Sequence, residues 1–156
     1  MKVGIYAGSF DPFTNGHLYV VRQACNLFDR VVMVISINSQ KARRTDQNKM
    51  QQAVMDTFKE EGLKNAKAVI YNGLIVDLAR QEGASFLIRG LRNGTDYEYE
   101  ENIAEINHEL AGVQTIYFRA GDMSYISSSM VMEIHSYNRD VSEWVPQRVL
   151  GAIQKL

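Results

Sequence analysis

Short β-branched runs alternate along this chain with longer segments of helical period, and that alternation restricts the fold more than any other feature. VGIYA (Val3 to Ala7) reads as a buried strand and RVVMVISI (Arg30 to Ile37) as a second, both too short to be stable helices. Between them, Leu18, Val21, Cys25 and Phe28 of HLYVVRQACNLF recur at the spacing of one helix face. The unit then repeats. NKMQQAVMDTFKEEG is helical, AKAVIY a strand, LIVDLARQEG a helix stopped by Gly83, and SFLIRG a strand. EYEENIAEINHELAG is a helix ended by Gly112, QTIYF a strand, and SSSMVMEIHSY and PQRVLGAIQKL are two closing helices. Strands joined through helices of this length predict a doubly wound, Rossmann-like α/β fold: a parallel five-stranded sheet with helices on both faces. With two prolines and no Ser/Gly-rich linker, residues 1–156 are expected to form a single domain.

Composition excludes several function classes. The formal net charge of -1 offers no bulk basicity for nucleic acid or an anionic membrane. One cysteine, Cys25, rules out an internal disulfide framework and fits a reducing compartment. No apolar run approaches membrane-spanning length, and the N-terminal one is too brief for a signal peptide, so a cytoplasmic location is expected.

In a doubly wound sheet, ligands bind beyond the carboxyl ends of the strands, where strand order switches. The unusual residues of this chain sit there. GSFDPFTNGH follows the first strand, NSQKARR the second, RGLRNG the fourth and RAGDMSYISSS the fifth. Lys41, Arg43, Arg44, Arg89, Arg92 and Arg119 therefore gather around one crevice of a nearly neutral chain, which suggests a small polyanion, although basic surface loops are common. Neither G-x-x-x-x-G-K-[ST] nor G-x-G-x-x-G follows any strand, which argues against a Walker-type nucleotidase and a dinucleotide dehydrogenase.

The opening loop offers another anion site. Gly8 permits close backbone approach, Gly16 and His17 begin a helix whose unpaired N–H groups attract an anion, and Thr14 or Asn15 is the natural N-cap. A capping role accounts for those residues but leaves His17 unexplained; at a helix N-terminus it is expected to be neutral and able to donate a hydrogen bond. Ser128 or Ser129 could be a simple N-cap. Cys25 belongs to the apolar helix face. His108 and His135 lack metal-ligand partners at suitable spacing, and no metal-ligating residues are expected. A Ser9–His17–Asp11 triad lacks the G-x-S-x-G elbow.

GSFDPFTNGH resembles the signature of the nucleotidyltransferase superfamily, and SYISSSMV resembles its second motif. Thr14, together with IRGLRNGTDYEYE, resembles specifically the bacterial phosphopantetheine adenylyltransferases, with a likeness running from the first strand to VPQRV. The resemblance implies adenylyl transfer from ATP to 4'-phosphopantetheine by direct in-line attack, giving dephospho-coenzyme A and pyrophosphate. His17 would then stabilise the transition state, while Ser9 and the Phe10 backbone touch both substrates. Lys41, Arg89 and Ile75 would bind the acceptor. Gly90, Leu91, Arg92 and Glu100 would hold the nucleotide, and Met123, Ser124, Tyr125, Ile126, Ser127, Ser128 and Ser129 would cradle its β- and γ-phosphates. Mg2+ is implied by the triphosphate, a homohexamer by the family, and coenzyme A is a product-like inhibitor by the same token. The chain departs from the family pattern after Lys41, where ARRTDQNKM replaces a second lysine, a proline and an aromatic, so that Arg43 or Arg44 could supply the missing charge. It departs again at Gly73, commonly aspartate, and at Met123, often a larger residue. Two alternatives stay open: a related nicotinamide mononucleotide adenylyltransferase or cytidylyltransferase, and a noncatalytic nucleotide sensor on the same fold.

Overall fold

The strands of the computed structural model, which describes residues 1–37 and 42–153 with the side chains at 95 and 96 set aside, are β1 (Val3–Gly8), β2 (Arg30–Ser36), β3 (Ala66–Tyr71), β4 (Phe86–Leu91) and β5 (Gln114–Arg119). All pair in parallel, in the order β3-β2-β1-β4-β5. The helices are α1 (Asn15–Leu27), α2 (Gln47–Glu60), α3 (Ile75–Glu82), α4 (Gly94–Ala111), α5 (Ser128–Ser136) and α6 (Gln147–Leu150).

Strand order dictates where the helices go. From β1 to β3 the chain steps toward one edge of the sheet, and from β3 to β5 it steps back across. With one crossover hand, the two sets of connections must cover opposite faces. Accordingly, α1, α2 and α5 pack with Tyr6, Met33 and Ile88 in one apolar cluster, while Val76, Leu78 and Ala79 of α3 pack with Val3, Ile5 and Val32 in the other. Alternation along β1 decides which residue faces which helix. Val31 through Ile35 are fully buried, as a central parallel strand covered on both faces requires.

Register then opens the crevice. β1 pairs with β2 along its whole length to Gly8, but with β4 only through Gly4, Ile5 and Tyr6. Beyond Tyr6 the strands part, β4 continuing through Leu91 on β5 alone. The carbonyl of Ala7, left without a ladder partner there, accepts instead from Arg89 Nη1 at 2.5 Å.

Several expected boundaries move. α1 begins two residues before His17, capped by Thr14. α4 begins at Gly94, whose N–H in a first turn needs no helical partner. α3 ends as expected at Gly83, with φ of 69°, a left-handed cap that glycine adopts without a Cβ penalty. The last helix is shorter than the apolar pattern predicts: it stops at Leu150, and Gly151 to Ile153 turn so that Ala152 and Ile153 enter the core. Among the described residues, no helix is long and apolar enough to cross a membrane.

Candidate active site

A cavity of about 350 Å³ occupies the gap between β1 and β4. Its floor is Tyr6, Ala7 and Gly8 on one side and Arg89 and Gly90 on the other; the starts of α1 and α5 close it above. At Gly90 a Cβ would sit 3.0 Å from Val20 Cγ2, so glycine keeps β4 and α1 close without crowding.

The loop from Gly8 to Thr14 is anchored by its aromatic residues. Phe10 and Phe13 are 3% and 0% exposed. The Phe10 ring meets Tyr6 edge-on at 5.1 Å and His17 at 4.8 Å, and Phe13 lies 5.6 Å from His17 and 6.2 Å from Phe58. Such pairs contribute roughly 0.5–1.5 kcal/mol each beyond burial. The Asp11–Pro12 peptide is cis.

His17 is oriented by the helix it begins. Thr14 Oγ1 accepts from the His17 backbone N–H at 3.3 Å, and His17 Nδ1 accepts from the Thr14 backbone N–H at 3.0 Å, a reciprocal capping box with histidine in the usual Glu/Gln position. Burial and the nearby Arg89 and Arg92 guanidiniums push the imidazole from 6.5 down to about 3, so the ring is neutral as expected. Because Nδ1 is an acceptor, the single ring proton resides on Nε2, the edge away from Thr14. The cap thus fixes the tautomer, and a neutral donor is delivered to the cavity wall.

Two helix starts face the same space. In α1, the Asn15 N–H is taken by the Trp144 carbonyl at 2.8 Å and that of His17 by Thr14, which leaves Gly16 N–H at the cavity. In α5, the three serines divide their work. The N-cap is Ser127, not Ser128 or Ser129, its hydroxyl accepting from Met130 N–H at 3.1 Å. Ser128 Oγ donates to the Pro12 carbonyl at 2.7 Å and ties α5 to the opening loop, while Ser129 lines the cavity.

The expected site residues separate into groups. Ser9, Phe10, His17, Arg89, Gly90 and Arg92 meet at the cavity, as do Met123, Ile126 and Ser127 to Ser129. Lys41 lies outside the described residues. Leu91, Ser124 and Tyr125 do not line the cavity, and Tyr125 is 59% exposed. Ile75 starts α3 and packs against the cluster on the other face of the sheet. Glu100 is buried but spoken for: both its carboxylate oxygens receive Arg89, Nε and Nη2 each at 2.7 Å. The pair holds the guanidinium charged and still, with its third nitrogen on Ala7.

Residues that sequence reasoning did not single out also line the cavity. Tyr6 is one: burial pushes its phenol well above the ordinary range, and period-2 alternation could have placed it on the face under His17. Val20, one turn after His17 on the same helix, is another. Asp11 braces the loop, accepting from the Arg44 and Thr45 N–H groups at 2.8 Å each and from Thr45 Oγ1 at 2.6 Å; these bonds and two arginines hold its carboxyl below the usual carboxylate range despite burial.

Residues 5–134 match the Cytidylyltransferase-like family. A phosphopantetheine adenylyltransferase of Lachnoclostridium phytofermentans is 43% identical over 155 residues, covering 98% of this chain and 94% of that protein. One from Porphyromonas gingivalis is 42% identical over 148 residues, covering 94% and 95%. In fold, the chain is similar to a solved structure from Vibrio parahaemolyticus described as a nicotinate-nucleotide adenylyltransferase, with a TM-score of 0.73 at 18% identity, covering 97% of this chain and 91% of that one. A cation-walled crevice at the switch point, two helix starts aimed into it and full-length likeness to these relatives lead to one assignment: the chain belongs to the phosphopantetheine adenylyltransferase family of nucleotidyltransferases.

Proposed function

We propose that this chain transfers the adenylyl group of ATP to 4'-phosphopantetheine, giving dephospho-coenzyme A and pyrophosphate. The observation that carries the reading is the neutral His17, with Nε2–H turned to a cavity whose walls hold Arg44, Arg89 and Arg92 and two helix N-termini. A phosphate oxygen of the acceptor attacks the α-phosphorus, and the bond from that phosphorus to the pyrophosphate oxygen breaks. Charge grows on the non-bridging α-oxygens during the step, and a preset donor acts most strongly where charge develops. His17 Nε2–H is that donor, and no covalent enzyme intermediate forms. The remaining work is positioning: Arg89, immobilised by Glu100, and the α1 and α5 N-termini hold phosphates in line.

Magnesium is proposed to arrive with ATP as part of the substrate. Asp11 is committed to backbone N–H groups and Glu100 to Arg89, and no cluster of three metal-ligating side chains occurs among the described residues. A triphosphate-bound ion that keeps several waters suits such a donor set. Coenzyme A, carrying the product's groups, is proposed to compete for the same cavity, and the cytoplasm is the proposed location. Assembly into a homohexamer is supported by α4, where Tyr99, Ile103, Ile106 and Leu110 form an exposed apolar stripe at helical spacing.

The test is pyrophosphate release with ATP and magnesium, offering 4'-phosphopantetheine, nicotinamide mononucleotide or no acceptor. Turnover with 4'-phosphopantetheine alone is expected. Turnover only with the mononucleotide, or none with any acceptor, overturns the reading.

A further inference from the structure

Phe10 has a φ of 44°, a left-handed conformation that costs a non-glycine residue on the order of 1–3 kcal/mol and persists only where its surroundings impose it. Part of what imposes it is Arg43, a side chain the proposed reaction leaves unused. Arg43 Nη1 donates to the Ser9 carbonyl at 2.6 Å and Nη2 to the Phe10 carbonyl at 3.3 Å. Nε donates to the Thr45 carbonyl at 3.1 Å, and Nη2 also reaches Thr45 Oγ1 at 3.3 Å. Thr45 in turn donates twice to Asp11, so the loops after β1 and β2 are stitched together by one closed set of bonds. The Arg43 side chain is 15% exposed and its charge is engaged within this set. It does not stand in for a second phosphate-binding cation.

The Ser9–Phe10 peptide is trans. In a trans peptide the carbonyl and the N–H point in opposite directions. With the Ser9 carbonyl turned to Arg43, the Phe10 N–H therefore points away from it. Arg43 lines an adjoining hollow of about 240 Å³ that shares Ser9, Arg44 and Ser129 with the main cavity, whereas Phe10 lines the main cavity and not that hollow. Among the described residues, the Phe10 N–H donates to no acceptor. A nearly buried backbone donor without a partner is a place for a ligand atom.

We propose that Arg43 is a positioning residue whose guanidinium fork turns the Phe10 N–H into the cavity as a preset donor to a nucleotide phosphate oxygen. This rests on the adenylyl-transfer reading above. Lysine is no substitute, because its ammonium is a point donor without the planar fork that spans two carbonyls and Thr45.

Arg43→Ala and Arg43→Lys should each lower kcat for pyrophosphate release by roughly 10- to 100-fold while the acceptor KM moves less than about threefold, since a small misplacement near the chemistry is costly. Millimolar guanidinium ion, far below denaturing levels, should restore part of kcat in Arg43→Ala and nothing in His17→Gln. Near-native kcat in Arg43→Ala, full activity of Arg43→Lys, or a loss in Arg43→Ala that guanidinium leaves untouched overturns the proposal. Arg43→Lys retains the charge beside Asp11 and serves if Arg43→Ala fails to fold. Should the wild type turn over no acceptor, it is the adenylyl-transfer reading that fails, and ATP affinity decides on Arg43. Equal Kd in wild type and Arg43→Ala then overturns the role, and a Kd weakened about tenfold and restored by guanidinium supports it.

Discussion

Acidification should remove stability that the neutral His17 confers, and the site sets the size of the loss. The imidazole drops from 6.5 in the unfolded chain to about 3 in the folded one. Between those values the unfolded state binds a proton that the folded state refuses, so the contribution is present above about 6.5 and is lost progressively as pH falls toward about 3. At about pH 5 the unfolded chain gains RT ln(1 + 10^1.5), about 2 kcal/mol, relative to about pH 7.5. His17→Gln is the matched control, because glutamine at the third helical position preserves the capping box and does not titrate. Urea unfolding of both proteins at equal concentration should therefore show the stability difference, wild type minus variant, falling by about 2 kcal/mol between about pH 7.5 and pH 5. Nitrogen NMR of the ring over the same range should show the Nε2–H tautomer throughout. A difference constant to within about 0.5 kcal/mol, or imidazolium signals emerging near the ordinary histidine range, would refute the idea that burial and two guanidiniums hold the ring neutral.

Three further outcomes follow from the same geometry. His17→Gln should lower kcat by roughly 100-fold or more and leave ATP affinity within about threefold, as loss of a transition-state donor does; isothermal titration and initial rates separate the two. Glu100→Gln should free the Arg89 guanidinium to reorient, raising the acceptor KM by about tenfold, with a stability loss of only about 1–2 kcal/mol because Arg89 is one-third exposed; steady-state kinetics and urea unfolding measure both. Thr14→Ala removes the cap hydroxyl at a cost of about 1 kcal/mol, yet its backbone N–H still reaches His17 Nδ1, so kcat should fall far less than in His17→Gln.

Local residue pattern alone specified the strands, most of the helices and the loops that line the cavity. Short β-branched runs bounded by turn residues favour strands, and their alternation with helices favours a parallel sheet, so those features need little long-range information. His17 and the serines of SYISSSMV could be found because helix starts following strand ends are visible in the sequence, although the capping-box role of the His17 ring was not.

What the sequence could not determine depends on contacts between distant segments. The splaying of β1 from β4 after Tyr6 made the cavity and placed Tyr6 and Val20 on its wall, and register is a property of pairs of strands. The pairing of Glu100 with Arg89 across 11 residues, which engages both carboxylate oxygens, is likewise set by tertiary contact. Arg43, separated from Ser9 by 34 residues, turned out to brace the loop instead of adding a free charge, because two loops meet only after β1 and β2 lie side by side. Charge type was written locally; what each charge is spent on was decided by which carbonyls and carboxylates folding brought within hydrogen-bond reach.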